Sequence, residues 1–154
     1  MLGHGKQQDP VIEAIKLFFQ RRGRFFGVEM AFLYGSRVRG FPRQDSDVDI
    51  SIVFENEGIR EENIFDTMVS ISLALGKEIG GEINVIPIYR DFRKPLLYYN
   101  GIVKGIPVYL KDSRAYAALR NEAIYQMEDF EDFGRKWRLM VARDNLEALD
   151  HAWF

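Results

Sequence analysis

No cysteine occurs among the 154 residues, and the only histidines are His4 and His151. The first absence excludes a disulfide framework, a thiolate metal site and a cysteine nucleophile. The second argues against a zinc centre built on imidazoles, and neither histidine is assigned a role. No apolar run reaches the roughly 20 residues that a membrane-crossing helix needs. The opening MLGHGKQQD lacks the hydrophobic segment of a secretory signal. These absences set the expectation of a cytoplasmic protein with no membrane association. An excess of either charge is also missing. A formal net charge of −2 gives no electrostatic case for nucleic acid as the main partner. No internal repeat, low-complexity tract or linker divides the chain, so a single domain over 1–154 is expected.

What is present is a clear alternation of apolar patterns. Asp9-Pro10 reads as an N-cap followed by proline at the first helical position. Val11, Ile15, Phe18 and Phe19 continue at helical spacing towards a stop at Gly23. Residues 28–34 form an apolar run of strand length, and 47–54 form a second strand. Ser36 would cap a short helix through about Gly40. Ile64, Met68, Ile71 and Leu75 give residues 61–79 an apolar helical stripe, broken by Gly80-Gly81. A third strand is expected over 82–89, a short helix over 94–103 and a short strand over 107–110. Asp112 or Ser113 would cap a last helix striped by Tyr116, Leu119, Ala123 and Met127, with Gly134 as a point of kinking or division. The order predicts an α+β fold (α/β-like), a small mixed sheet flanked by helices. The aromatics after residue 110, among them Tyr125, Phe130, Phe133 and Trp137, read as core or as a contact surface.

The chemistry concentrates in GSRVRGFPRQDSDVDISIV, residues 35–53. Asp47 and Asp49 are two residues apart on a strand and so share a face. Two carboxylates on one face of an apolar strand repel each other and resist burial. A divalent cation removes that conflict, and hard oxygen ligands suit Mg²⁺, which commonly brings substrate phosphates. The Gly35-Ser36 turn supplies the complementary feature, backbone amides at a helix start that attract phosphate. Arg37, Arg39 and Arg43 cluster beside this turn. Arg37 and Arg39 can bind phosphate or simply form a solvated basic surface, and Ser46 adjoins the acidic pair.

A Gly-Ser pair, ten residues, then Asp-x-Asp resembles the signature of the DNA polymerase β-like nucleotidyltransferases. The short chain is similar to their minimal members, the MNT proteins paired with HEPN toxins in toxin–antitoxin modules. The likeness spans roughly residues 10–133, with 134–154 as a helical C-terminal extension. It also takes in PLLYYNGIVKGIPVYLKD after the third strand. The resemblance implies a nucleotidyltransferase fold and Mg²⁺-dependent transfer of NMP, AMP first, from an NTP such as ATP to an acceptor hydroxyl. Two Mg²⁺ ions can act together in such transfer. It implies Asp47 and Asp49 as metal ligands and catalytic residues. Gly35 and Ser36 fall to nucleotide binding, with Arg37, Arg39 and Ser46 beside them as further candidates, and a tyrosine of a HEPN-type partner becomes the acceptor.

One position departs from that pattern. Many active members carry a third carboxylate on the next core strand, where this chain has Asn84 in EINVIPI. An amide cannot act as a general base. Glu82, on the same face, is the remaining candidate, displaced by about 7 Å along the strand. Three readings follow: an enzyme acting on a partner protein, a nucleotide-binding antitoxin that masks its partner, and a small-molecule (aminoglycoside-type) transferase. The last has little room for its acceptor after residue 110. A homodimer is compatible with the apolar tail.

Overall fold

The computed structural model describes residues 9–35, 38, 47–55 and 61–152. Helix α1 (Pro10–Arg22) opens on Asp9, whose carboxylate accepts from the Val11 N–H at 3.0 Å. Strands β1 (Val28–Tyr34) and β2 (Val48–Phe54) follow, then helix α2 (Glu61–Ile79), strand β3 (Ile83–Pro87), helix α3 (Pro95–Ile102), strand β4 (Ile106–Leu110) and helix α4 (Ser113–Ala152). The strands form one sheet in the order β3-β2-β1-β4. β1 is antiparallel to β2 and β4, while β2 and β3 are parallel, joined through α2 as a parallel pair requires. The expected mixed sheet is therefore present.

Alternation along the strands explains the near-continuous apolar runs. On β1, Ala31 and Leu33 join the core under α1 and α2, with Phe18, Phe19, Ile71 and Leu75. Met30 and Phe32 join the opposite core, with Tyr98 and Ile102 of α3 and Leu119 of α4. Both faces are covered, so both parities must be apolar. Truncating one of these buried rings to alanine costs about 3–5 kcal/mol. The exposed Arg21–Glu78 ion pair between α1 and α2, at 2.9 Å, contributes at most about 1 kcal/mol. Packing therefore sets the helix positions.

Several expected boundaries shift. Asp47 precedes β2 instead of lying within it, and β3 is shorter than 82–89 because pairing with β2 ends at Pro87. α3 occupies Pro95–Ile102 inside the expected 94–103, and β4 begins one residue early. α2 ends as expected: Gly80 adopts φ +79 and donates to the Gly76 carbonyl at 2.8 Å. At α4, Asp112 provides the cap, accepting from the Arg114 N–H at 2.9 Å. Gly134 does not divide α4, which runs for 40 residues, about 60 Å. A single helical glycine costs only about 1 kcal/mol, and the surrounding Glu131, Arg135, Lys136, Arg138, Leu139 and Met140 are strong helix formers. The expected helix after Ser36 lies outside the described residues.

Gly101 fixes how closely α3 lies on the sheet. A Cβ there would stand 2.9 Å from the Ser51 Oγ and 3.2 Å from its Cβ. Ser51, fully buried on β2, donates back to the Gly101 carbonyl at 3.4 Å. Gly101→Ala is expected to destabilise the fold by about 1–2 kcal/mol, overpacking outweighing the gain in helix propensity. Chemical denaturation measures the loss, and adding Ser51→Ala should recover part of it by removing the nearer atom.

Candidate functional site

The sequence directs three strand ends to one rim of the sheet. β1 ends at Tyr34 and passes into Gly35. β2 starts just after Asp47 and carries Asp49 as its second residue, and β3 carries Asn84 as its second residue. Tyr34 is the register partner of Asp49 across the antiparallel pair, and Asn84 is its partner across the parallel one. Neighbours in register present their side chains on one face. Tyr34, Asp49 and Asn84 thus form a row above the α3-facing side, with Ser51 and Gly101 beneath.

Gly35 makes the approach possible. Its φ of +83 is a conformation that side-chain-bearing residues rarely adopt, and a Cβ at this position would collide with the Asp49 carboxylate. The carboxylate occupies the space a side chain would need. The Gly35 carbonyl accepts from the Val38 N–H at 3.2 Å.

Asn84 Nδ2 donates to Asp49 Oδ1 at 3.2 Å. The amide thereby stands directly beside the carboxylate, at the position where the resemblance noted in the sequence implies a third acid. Glu82 lies just ahead of β3. Its carbonyl accepts from the Val48 N–H at 3.1 Å, which sets the two strand entries side by side. Its side chain is exposed, as is that of Asp47. Among the described residues no three Asp, Glu, His or Cys side chains gather closely enough to hold a metal ion. The Asp49 carboxylate, with the Asn84 amide and the Gly35 backbone alongside, fits an oxygen-seeking Mg²⁺ that shares its shell with phosphate, and Asp47 stands exposed two residues before it. No described cationic side chain forms an ion pair with Asp47 or Asp49. At the opposite rim, by contrast, Glu29 pairs with Arg90 and Glu55 with Lys111.

Ser36, Arg37, Arg39 and Ser46, expected to meet the nucleotide, lie outside the described residues, as do Arg43 and His4. Tyr34 is not an expected site residue. In the sequence it is only the last residue of an apolar strand, and the β1–β2 register sets it against Asp49. Burial, and secondarily the Asp49 charge, push its hydroxyl up to about 12. A neutral hydroxyl thus sits beside the carboxylate throughout the ordinary pH range. Above pH 10 the unfolded tyrosine ionises while the folded one stays neutral, so this group's contribution to stability is lost as pH rises from 10 towards 12. Asp49→Asn is expected to lower the Tyr34 midpoint by only a fraction of a unit, since burial is the larger cause. Tyrosinate absorbance, compared with the same titration in a Tyr34→Phe background, measures it.

Residues 13–114 match the family model described as Polymerase beta, Nucleotidyltransferase. Solved structures share the fold at low identity. A chain of a toxin–antitoxin crystal structure with AMP-PNP matches with TM-score 0.60 and 14% identity, covering 82% of this chain and 98% of that one. A chain of the MntA–HepT toxin–antitoxin structure matches with TM-score 0.57 and 12% identity, covering 86% and 99%. A chain of the complex described as tri-AMPylated Shewanella oneidensis HEPN toxin with MNT antitoxin matches with TM-score 0.56 and 11% identity, covering 84% and 98%. No curated protein matches the sequence.

Proposed function

Since this chain belongs to the polymerase β nucleotidyltransferase family, we propose that it transfers AMP from ATP to a hydroxyl of a HEPN-type protein partner and thereby acts as an antitoxin. The observation that carries this reading is the Asp49 carboxylate seated against Gly35, with Asp47 two residues before it. It joins a place for hard cations to a place where backbone can approach phosphate. The partner class is supported by the neighbours of the same fold, which are described as toxin–antitoxin complexes, one with AMP-PNP and one with an AMPylated HEPN toxin.

In this reading Asp47 and Asp49 hold Mg²⁺, one ion or two. Gly35, Ser36, Arg37, Arg39 and Ser46 hold the phosphates. Mg²⁺, when held there, would supply charge neutralisation on the phosphates. The acceptor oxygen forms a bond to the α-phosphorus, the bond to the pyrophosphate oxygen breaks, and the hydroxyl proton passes to a carboxylate of the rim. Asp49 and Glu82 are the candidates for that proton. Asn84 cannot take it, and instead orients Asp49.

Labelled ATP, Mg²⁺ and a HEPN-type partner should give labelled partner. Asp47→Ala and Asp49→Ala should each reduce labelling by about 100-fold or more, as loss of a charge-stabilising group commonly does. Asn84→Asp should raise the rate, and Glu82→Gln should lower it only if Glu82 receives the proton. Unlabelled partner under all nucleotides and divalent metals would overturn the reading.

Asn84 also favours a second reading, in which the chain binds nucleotide and silences its partner by masking it. In that case folded Asp47→Ala and Asp49→Ala variants neutralise the partner as well as the original chain. Loss of neutralisation in those variants excludes it.

A further inference from the structure

Helix α4 has two halves of different character. Leu119 and Ala123 are buried against the α3-facing core, but from Glu128 to His151 every residue except Gly134 is exposed. This outer half nevertheless carries a continuous apolar stripe. Phe130, Phe133, Trp137 and Met140 recur at spacings of three and four residues, with exposures of 48%, 67%, 54% and 43%. That is the seam spacing by which one helix packs along another. The rings of Phe133 and Trp137 are stacked at 6.4 Å, which presents a flat aromatic surface. Each half-exposed ring offers on the order of 100 Å², so the stripe ranks with the largest apolar patches that monomeric proteins leave uncovered.

The stripe is complementary to itself when two copies run antiparallel. Phe130 then faces Met140 of the second copy, Phe133 faces Trp137, and the same two contacts recur beyond the axis, giving four apolar layers. Met127 faces Val141 along one flank. Gly134 meets its own counterpart at the axis, where the missing side chain lets the two backbones approach. On the other flank Asp129 faces Arg143 of the second copy, twice. The order of charge over the paired span suits this arrangement: Glu128, Asp129, Glu131 and Asp132 come first, and Arg135, Lys136, Arg138 and Arg143 follow, with Asp144, Glu147 and Asp150 beyond the apolar layers. An antiparallel pair sets each block opposite the other. A parallel pair would set like against like. Lys136 alone meets its own kind near the axis, where exposure and salt keep the repulsion small. Leu139, Leu146 and Leu149 lie on a different face and remain outside the contact.

We propose that the outer half of α4 is a homodimerisation element, binding a second copy of this chain antiparallel through the Phe130–Val141 stripe. The two catalytic-domain bodies then stand at opposite ends of a two-helix bridge. This inference is independent of the transfer chemistry.

Sedimentation of the full chain at about 10–100 µM, a range that captures micromolar dissociation constants, should show a dimer. Phe133→Glu and Trp137→Glu should each weaken it at least tenfold with helicity unchanged. Asp129→Arg and Arg143→Asp should each weaken it, and the double exchange should restore it. The cysteine-free chain also permits a geometric test. Gly134→Cys should cross-link two copies on oxidation, whereas Ala148→Cys, two heptads along the same edge, should not. A monomer throughout the concentration range, a dimer indifferent to Phe133→Glu, failure of the charge exchange to restore pairing, or efficient cross-linking through Ala148→Cys would each overturn the proposal.

Discussion

The arrangement of this protein turns on one close contact, the Asp49 carboxylate held against the Cα of Gly35. A carboxylate stays charged only where water, a hydrogen bond or a cation offsets its desolvation. Here Asn84 supplies one hydrogen bond, and the end of the sheet leaves the rest of the group half-open. The contact demands a residue without a side chain just after β1 and a left-handed backbone, both met by glycine. It also demands that β1, β2 and β3 end in register. A shift of one residue in either pairing would exchange the faces of β2 and bury Asp49 among the aliphatic side chains beneath α1 and α2.

The rest of the fold enforces that register. β2 sends Val48, Ile50, Ile52 and Phe54 to one core, and sends Asp49, Ser51 and Val53 the other way. The second face grows more apolar with distance from the rim: an acid, then a fully buried serine, then valine. Gly101 of α3 rests on the serine, closing the layer directly below the acid. On β3, the Ser72 hydroxyl of α2 donates to the Ile83 carbonyl at 2.7 Å, pinning the strand one residue before Asn84. The helices thus locate the rim indirectly, by fixing the strands whose ends compose it.

Most of this was legible in the chain. Strand β1 and helix α2 match their expected spans because apolar runs and stripes of full length end on glycines, whose backbone freedom stops the element locally. β3 and β4 were blurred at their ends, since their limits are set by what the neighbouring strand still pairs. The acidic pair and its glycine were visible as spacing. The part played by Tyr34 was not, because its raised ionisation comes first from burial in the folded sheet and second from Asp49, a cross-strand neighbour 15 positions away. The fate of α4 was legible only in part. An amphipathic stripe announces that a helix will bury one face, but it does not say whether the cover comes from the same chain. Tyr116 packs against the core, whereas Phe130, Phe133 and Trp137 face solvent.

Asn84 shows how stability and activity pull against each other at such a rim. A carboxylate at this position would lie one strand spacing from Asp49, close to 5 Å. Without a cation, two like charges at that distance repel by roughly 3 kcal/mol at an effective dielectric of about 20. The amide replaces that repulsion with a hydrogen bond of about 1.5–3 kcal/mol, as bonds to charged groups contribute. The metal-free rim is therefore better held with asparagine than with aspartate. The same exchange removes one negative charge from the cation's surroundings and one proton acceptor from the reacting centre. The gain is a rim that stays ordered without a cation. Such a rim yields slower chemistry in return, the direction in which stability and activity generally trade.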